Sequence, residues 1–154
     1  MATNNLLQHL PMLGNATPFT DLNESNRRQV ETFIASEAIA VNQAVCFDMA
    51  KADDAEKVVF VKVANTTAAT ACCIGVAREA AAIGTRVDVV ISGITEFIAS
   101  GAVTAGDSLS VSTTGAETGR LRTYTAAYTQ PIVAYAVDTT GAGNVGTAVF
   151  YKRF

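Results

Sequence analysis

The residues able to do chemistry are few and badly placed to do it together. His9 is the only histidine. A Ser-His-Asp or Cys-His site would have to recruit it from the N-terminal segment, since an imidazole must lie within hydrogen-bond reach of its nucleophile. The three cysteines are Cys46, Cys72 and Cys73. An odd number makes a poor disulfide framework, and no neighbouring cation would turn them into thiolates. Cys72 and Cys73 are adjacent, which spaces them badly for gripping one tetrahedral ion. They read as small buried hydrophobes. Asp53-Asp54-Ala55-Glu56 has the hard oxygen donors that Ca²⁺ takes, but the same pattern describes a solvated loop between strands. No Gly-rich loop leads into a helix, so phosphate cradling has no sequence support. The expectation is a chain with no catalytic residues, no metal site and no cofactor.

Composition points the same way. Of 154 residues, 49% are apolar, Trp is absent, and only 16% are charged, against roughly 25% in an ordinary soluble domain. A surface this short of charge suits a protein packed against copies of itself or within a larger assembly. Net charge is −3. The densest cationic spots, Arg27-Arg28, Arg120-Leu121-Arg122 and Lys152-Arg153, are too sparse for the clustered footprint that nucleic acid requires. No apolar run reaches the roughly 18 residues that span a bilayer, and Met1-Ala-Thr-Asn-Asn5 lacks the basic start of a secretory signal. No nucleic acid, no membrane and synthesis in a cytoplasm are therefore expected.

The elements that would position such residues are strands. From Val30 onward, β-branched and aromatic residues form short runs separated by Gly, Asn, Asp and Thr. The runs are Val30–Ser36, Ala38–Val41, Ala44–Met49, Lys57–Ala64, Cys73–Arg78, Arg86–Ser92, Ile94–Ser100, Ser108–Thr113, Arg120–Thr125, Ile132–Val137 and Gly146–Lys152. Val87, Val89 and Ile91 alternate with Arg86 and Asp88, as in a half-buried strand. Thr113–Gly119 reads as a hairpin connection. The Ala-rich stretch 64–83 leaves room for a short helix over Val76–Ile83 capped by Gly84. Residues 1–29 differ: they hold the His, two of the three Pro and the cluster Leu6, Leu7, Leu10, Met12 and Leu13. Leu6, Leu7 and Leu10 can share a helical face, but a helix cut short by Pro11 is marginal by itself. This segment reads as an extended arm whose leucines dock on something else.

The most informative feature is a duplication. Residues 33–47 align without a gap on 97–111. Phe33-Ile-Ala-Ser36 is identical to Phe97-Ile-Ala-Ser100, and Ala38, Ile39, Asn42, Gln43 and Val45 match Ala102, Val103, Gly106, Asp107 and Leu109. Asn42 and Gly106 fall at the turn, where positive φ is tolerated. Ile74-Gly-Val-Ala-Arg-Glu79 echoes Val133-Ala-Tyr-Ala-Val-Asp138. The expectation is an all-β domain: a small β-barrel or sandwich built from a duplicated strand motif, with an extended N-terminal arm. Closure would remove exposed edges. The arm is placed at 1–29 and the body at 30–154, with repeats near 30–92 and 94–152.

Val89-Val-Ile-Ser-Gly93, Ser100-Gly-Ala-Val-Thr-Ala-Gly-Asp-Ser-Leu-Ser-Val-Ser112, Gly119-Arg-Leu121 and Ile132-Val-Ala-Tyr-Ala136 together resemble the tailed-phage capsid decoration (head cement) proteins. The resemblance covers about residues 70–152 directly and 30–70 through the duplication. Ala134 stands where the family pattern has Gly, while Gly75 keeps it. The resemblance implies a virion structural protein, often a trimer, on the outer capsid surface. It would bind the major capsid protein at capsomer junctions as a homo-oligomer, with the arm (Leu6, Leu7, Leu10, Met12, Leu13) in contact with the shell. The competing readings are a tail, fibre or spike component, and a carbohydrate-binding β module using Tyr124 and Tyr128.

Overall fold

The computed structural model describes residues 28–65, 73–112, 115–126 and 131–151. Nine strands form: β1 (Gln29–Ala35), β2 (Ala44–Phe47), β3 (Phe60–Val63), β4 (Cys73–Ala77), β5 (Arg86–Ile98), β6 (Ser108–Val111), β7 (Leu121–Thr123), β8 (Ala134–Ala136) and β9 (Val145–Phe150). A single-turn helix, α1 (Asp54–Lys57), precedes β3, and a 3₁₀ turn at Gly115–Glu117 precedes β7.

Five strands close into a barrel in the order β1-β3-β2-β4-β5, with β5 returning to β1. β1 runs antiparallel to the first half of β5, from Gln29 opposite Ser92 to Ile34 opposite Arg86. On its other edge β1 runs parallel to β3, with Ala35 opposite Val61. Closure pairs the strand edges that an open sheet would leave free. Alternation then sorts the side chains. Phe33, Ala35, Val45, Val61, Val63, Val87, Val89 and Ile91 fill the interior. Arg86 stays exposed.

The rest of the chain repeats this order. β5 does not stop at Gly93 (φ 99°); its second half takes the part of β1, antiparallel to β9 from Gly93 opposite Phe150 to Ile98 opposite Val145. β9, β8, β6 and β7 follow, and a single parallel pair, Ala99 with Leu121, closes the circuit as Ala35 with Val61 does in the first. Several backbone bonds recur at matched positions. Ser36 N–H donates to Val61 C=O at 2.8 Å, and Ser100 N–H to Leu121 C=O at 2.7 Å. Ile39 and Ala81 exchange two bonds of 2.9 Å, as do Val103 and Thr140. The duplicated motif is thus a duplicated barrel, with β5 shared between the copies.

The two barrels pack on each other. Ala44, Cys46, Cys73 and Val76, on the outer wall of the first, share one buried cluster with Phe97, Leu109, Val111, Leu121 and Phe150 of the second. Small side chains on that wall allow close approach of the two barrels. Ala44 N–H donates to Gly119 C=O at 2.8 Å, and Gly119 N–H to Ala64 C=O at 2.7 Å.

Several local expectations are corrected. Ala38–Val41 is no strand; only Ile39 forms a bridge, to Ala81. Strand does not begin at Lys57: Asp53 caps α1, its carboxylate accepting from Ala55 N–H at 3.0 Å, and Lys57 pairs with Asp54 at 2.6 Å. Asp and Glu early in the turn and Lys late suit the helix dipole. Val58 and Val59 form the exposed turn that follows. A helix over Val76–Ile83 does not form, because Val76 and Ala77 pair with Val90 and Val89 of β5. Gly93 does not divide two strands.

Candidate functional site

Each barrel carries a polar cluster at the same place. In the first, Ser36 follows β1 and Asp48 follows β2. Lys62, on β3, reaches Asp48 Oδ1 at 3.1 Å, and Ala50 N–H donates to the same oxygen at 3.2 Å. The Ser36 hydroxyl is buried nearby without a well-formed hydrogen bond. Burial pushes the Asp48 carboxyl up. The Ser36 dipole, the Lys62 ammonium and the Ala50 N–H outweigh it and hold the group below its ordinary range.

In the second barrel, Ser100 and Ser112 occupy the equivalent positions. Their hydroxyls lie 3.0 Å apart, and both donate to Glu117 Oε2, Ser112 at 2.9 Å. Glu117 belongs to the 3₁₀ turn between β6 and β7, where the first barrel has α1 between β2 and β3. Continuing the alignment by one residue sets Ser112 at the place of Asp48, and Glu117 supplies a carboxylate there from outside the aligned stretch. With one carboxylate oxygen accepting from two hydroxyls, the arrangement ties the 3₁₀ turn to the ends of two strands.

Several other carboxylates are similarly occupied. Glu37 accepts from Val63 N–H at 2.8 Å. Asp107 accepts from Thr104 N–H at 2.9 Å and from the Thr123 hydroxyl at 2.8 Å. Asp138 accepts from Thr147 N–H at 2.9 Å. Asp53 and Asp54, considered for Ca²⁺, serve α1. Among the described residues no group of three or more His, Cys, Asp or Glu is placed to hold a metal ion. Cys46 is buried and its thiol is pushed up to about 12, by desolvation first and then by neighbouring Cys73, so it is inert at neutral pH.

The turn positions are matched in conformation. Asn42 has φ 63° and Gly106 φ 89°. Gln43 Oε1 accepts from Ala40 N–H at 2.8 Å, and Asp107 Oδ2 from Thr104 N–H at 2.9 Å. Asn42 also reaches across to the second barrel, where its amide donates to Glu96 Oε2 at 3.0 Å. That contact edges a cleft of about 150 Å³ lined by Arg28, Val41, Asn42, Arg78, Thr95 and Glu96. Burial, and then Arg78, lower the Arg28 pKa. A second cleft, about 240 Å³, lies among Glu37, Gln43, Val63, Asn65 and Thr118. Both fall short of the roughly 300–1,000 Å³ that small-molecule sites occupy. Leu6, Leu7, Leu10, Met12, Leu13 and Tyr128 lie outside the described residues; Tyr124 N–H donates to Ser108 C=O at 2.7 Å. Among the described residues no helix is long and apolar enough to cross a membrane.

No protein-family model and no curated protein matches the chain. Solved structures do. A chain from the capsid of Myoviridae phage XM1 superposes with a TM-score of 0.63 at 15% identity, covering 100% of both chains. The N base of the head fibre gp8.5 of bacteriophage phi29 gives a TM-score of 0.53 at 16% identity, over 81% of this chain and 95% of that one. At such identities the likeness establishes a common fold.

Proposed function

We propose that this chain is a non-enzymatic structural component of a phage virion. It decorates the outer capsid surface at capsomer junctions as a homo-oligomer, a trimer by preference, bound to the major capsid protein. The observation that carries the reading is the end-to-end match, both chains covered in full, with a chain of the XM1 capsid. The low charge and the occupied carboxylates agree with it. Residues 1–29 act as the arm and 30–154 as the body, with Leu6, Leu7, Leu10, Met12 and Leu13 against the shell; the protein would be made in the host cytoplasm and assembled onto the particle.

The likeness to a head-fibre base favours one alternative, a fibre, tail or spike component. Cryo-EM of the native particle separates them. Density repeated at every equivalent capsomer junction supports decoration. Density confined to a fibre base or tail supports the alternative, and absence from the particle overturns both.

A further inference from the structure

Within the chain, the outer wall of the first barrel docks on one end of the second, and Gly119 marks the place. The Gly119 C=O accepts from Ala44 N–H, and its N–H donates to Ala64 C=O. A Cβ on Gly119 would stand 2.7 Å from Val63 Cγ1. The docking wall, with Ala44, Cys46, Cys73 and Val76, is buried in the cluster it shares with Phe97 and Val111. The internal contact thus joins a wall of one barrel to an end of the other.

The duplication gives each of these surfaces a counterpart. The first barrel has its own receiving end. Asp48 N–H donates to Phe60 C=O as Ser112 N–H donates to Arg120 C=O, both at 2.8 Å. Counting back from Phe60 and Arg120, Val59 and Val58 stand where the second barrel has Gly119 and Thr118. Val58 and Val59 are 58 and 43% exposed, and Met49, next to Asp48 on the same ladder, is 53% exposed. Phe47 is only partly buried, whereas Val111, at its place in the second barrel, is sealed. Val59 C=O already accepts from Ile34 N–H at 3.0 Å, so this end offers apolar side chains where Gly119 offers backbone.

The second barrel likewise has its own docking wall. Ala44 opposite Val76 becomes Ser108 opposite Tyr135. Ala64 N–H donating to Ala44 C=O becomes Tyr124 N–H donating to Ser108 C=O. Val76 is fully buried, but Tyr135 is exposed. Arg78 N–H bonds Asp88 C=O as Val137 N–H bonds Thr147 C=O, so the first barrel's Arg78 becomes an exposed Val137. Tyr151 packs edge-on against Tyr135 with ring centroids 5.1 Å apart.

Among the described residues nine large apolar side chains are exposed, and six of them, Met49, Val58, Val59, Tyr135, Val137 and Tyr151, lie on these two surfaces. Exposed apolar groups gathered in this way mark a contact. Both surfaces stay open in the chain that carries them, so the occupant of each is another molecule. The duplication says which: the fold already joins this kind of wall to this kind of end, and a second copy presents both.

We infer that the outer wall of the second barrel, around Tyr135 and Val137, docks on the α1 end of the first barrel of another copy, around Met49, Val58 and Val59. The contact is heterologous, each copy giving a different surface. The inference rests on the homo-oligomer reading above and supplies its contact; it needs no capsid. The test is sedimentation of the free, full-length protein. Val58→Arg/Val59→Arg charges the receiving end. Tyr135→Arg/Val137→Arg charges the wall with the residue type that the first barrel carries at Arg78. Either variant should raise the concentration at which the oligomer dissociates about thirtyfold or more, so one suffices if the other fails to fold. A one-to-one mixture should form dimers where each variant alone is monomeric, since only there does an intact wall meet an intact end. Association unchanged in both variants, or a mixture that stays monomeric, overturns the inference and leaves the homo-oligomer reading standing. A wild type that is monomeric at every concentration overturns both.

Discussion

The two barrels are one design executed with different side chains, and the differences fall where their surroundings differ. The first barrel opposes Phe33 with Val87; the second opposes Phe97 with Gly146. Phe33 leans on the ring of Phe47, centroids 5.9 Å apart, near the barrel's open end. Phe97 is sealed completely, and a side chain at residue 146 would stand 3.1 Å from its ring and 2.7 Å from Thr140. At the next level the second barrel keeps Ala134 where the first has Gly75. Gly75 lies so close to β5 that an added Cβ would sit 2.2 Å from the Val90 carbonyl oxygen. Each barrel has therefore exchanged bulk for close approach at a different pair of strands, and the polar clusters Ser36-Asp48-Lys62 and Ser100-Ser112-Glu117 show the same end reached with different residues.

Substitutions at paired positions sharpen that contrast, measured by urea unfolding. Phe97→Ala should cost about 4 kcal/mol and Phe33→Ala about 1 kcal/mol less, because the sealed ring leaves the larger void; equal losses would mean the two cores are equally tight. Both should shift one cooperative transition, since β5 belongs to both barrels, and two separate transitions would break that view. Gly75→Ala should cost about 3 kcal/mol through the clash with Val90, whereas Ala134→Gly should cost only about 1 kcal/mol. Gly106→Ala should cost about 1 kcal/mol for its left-handed backbone, since its Cβ would meet nothing within 4 Å. Asn42→Gly keeps the turn and gives up only the bond to Glu96, and should stay within about 1 kcal/mol of wild type.

The smallest expected effect is a difference in acid sensitivity. The folded Asp48 carboxyl titrates below its ordinary 3.8. Its contribution is therefore complete above that value and disappears as pH falls through the lower, folded value. Asp48→Asn should remove that part of the acid-induced loss, a small one of less than about 1 kcal/mol. Glu117→Gln should leave the first barrel's share of the acid profile intact. Unchanged acid sensitivity in Asp48→Asn would remove the group from the account.

The duplication was legible because Phe-Ile-Ala-Ser and the turn after it serve the same backbone purpose twice, and backbone purposes constrain residue type. Positive φ at Asn42 and Gly106 follows from that. Other features were hidden by neighbours. Val58 and Val59 look like strand, yet the cap at Asp53 and the Asp54–Lys57 pair claim the preceding turn. Gly93 looks like a break, but strand β5 runs through it because β9 continues the ladder that β1 begins. Glu117 was invisible as a partner of Ser100 and Ser112 because a loop residue beyond the aligned stretch 97–111 has no periodicity to betray it.

Strand β5 has a mechanical consequence. Six residue pairs hold it to β1 and six more hold it to β9. Antiparallel hydrogen bonds lie across the strand, so a force drawing the two barrels apart along β5 loads each ladder in shear, all rungs together, rather than peeling them one at a time. The molecule therefore resists stretch along this line as a single tie-rod, with its weakest direction at right angles to it.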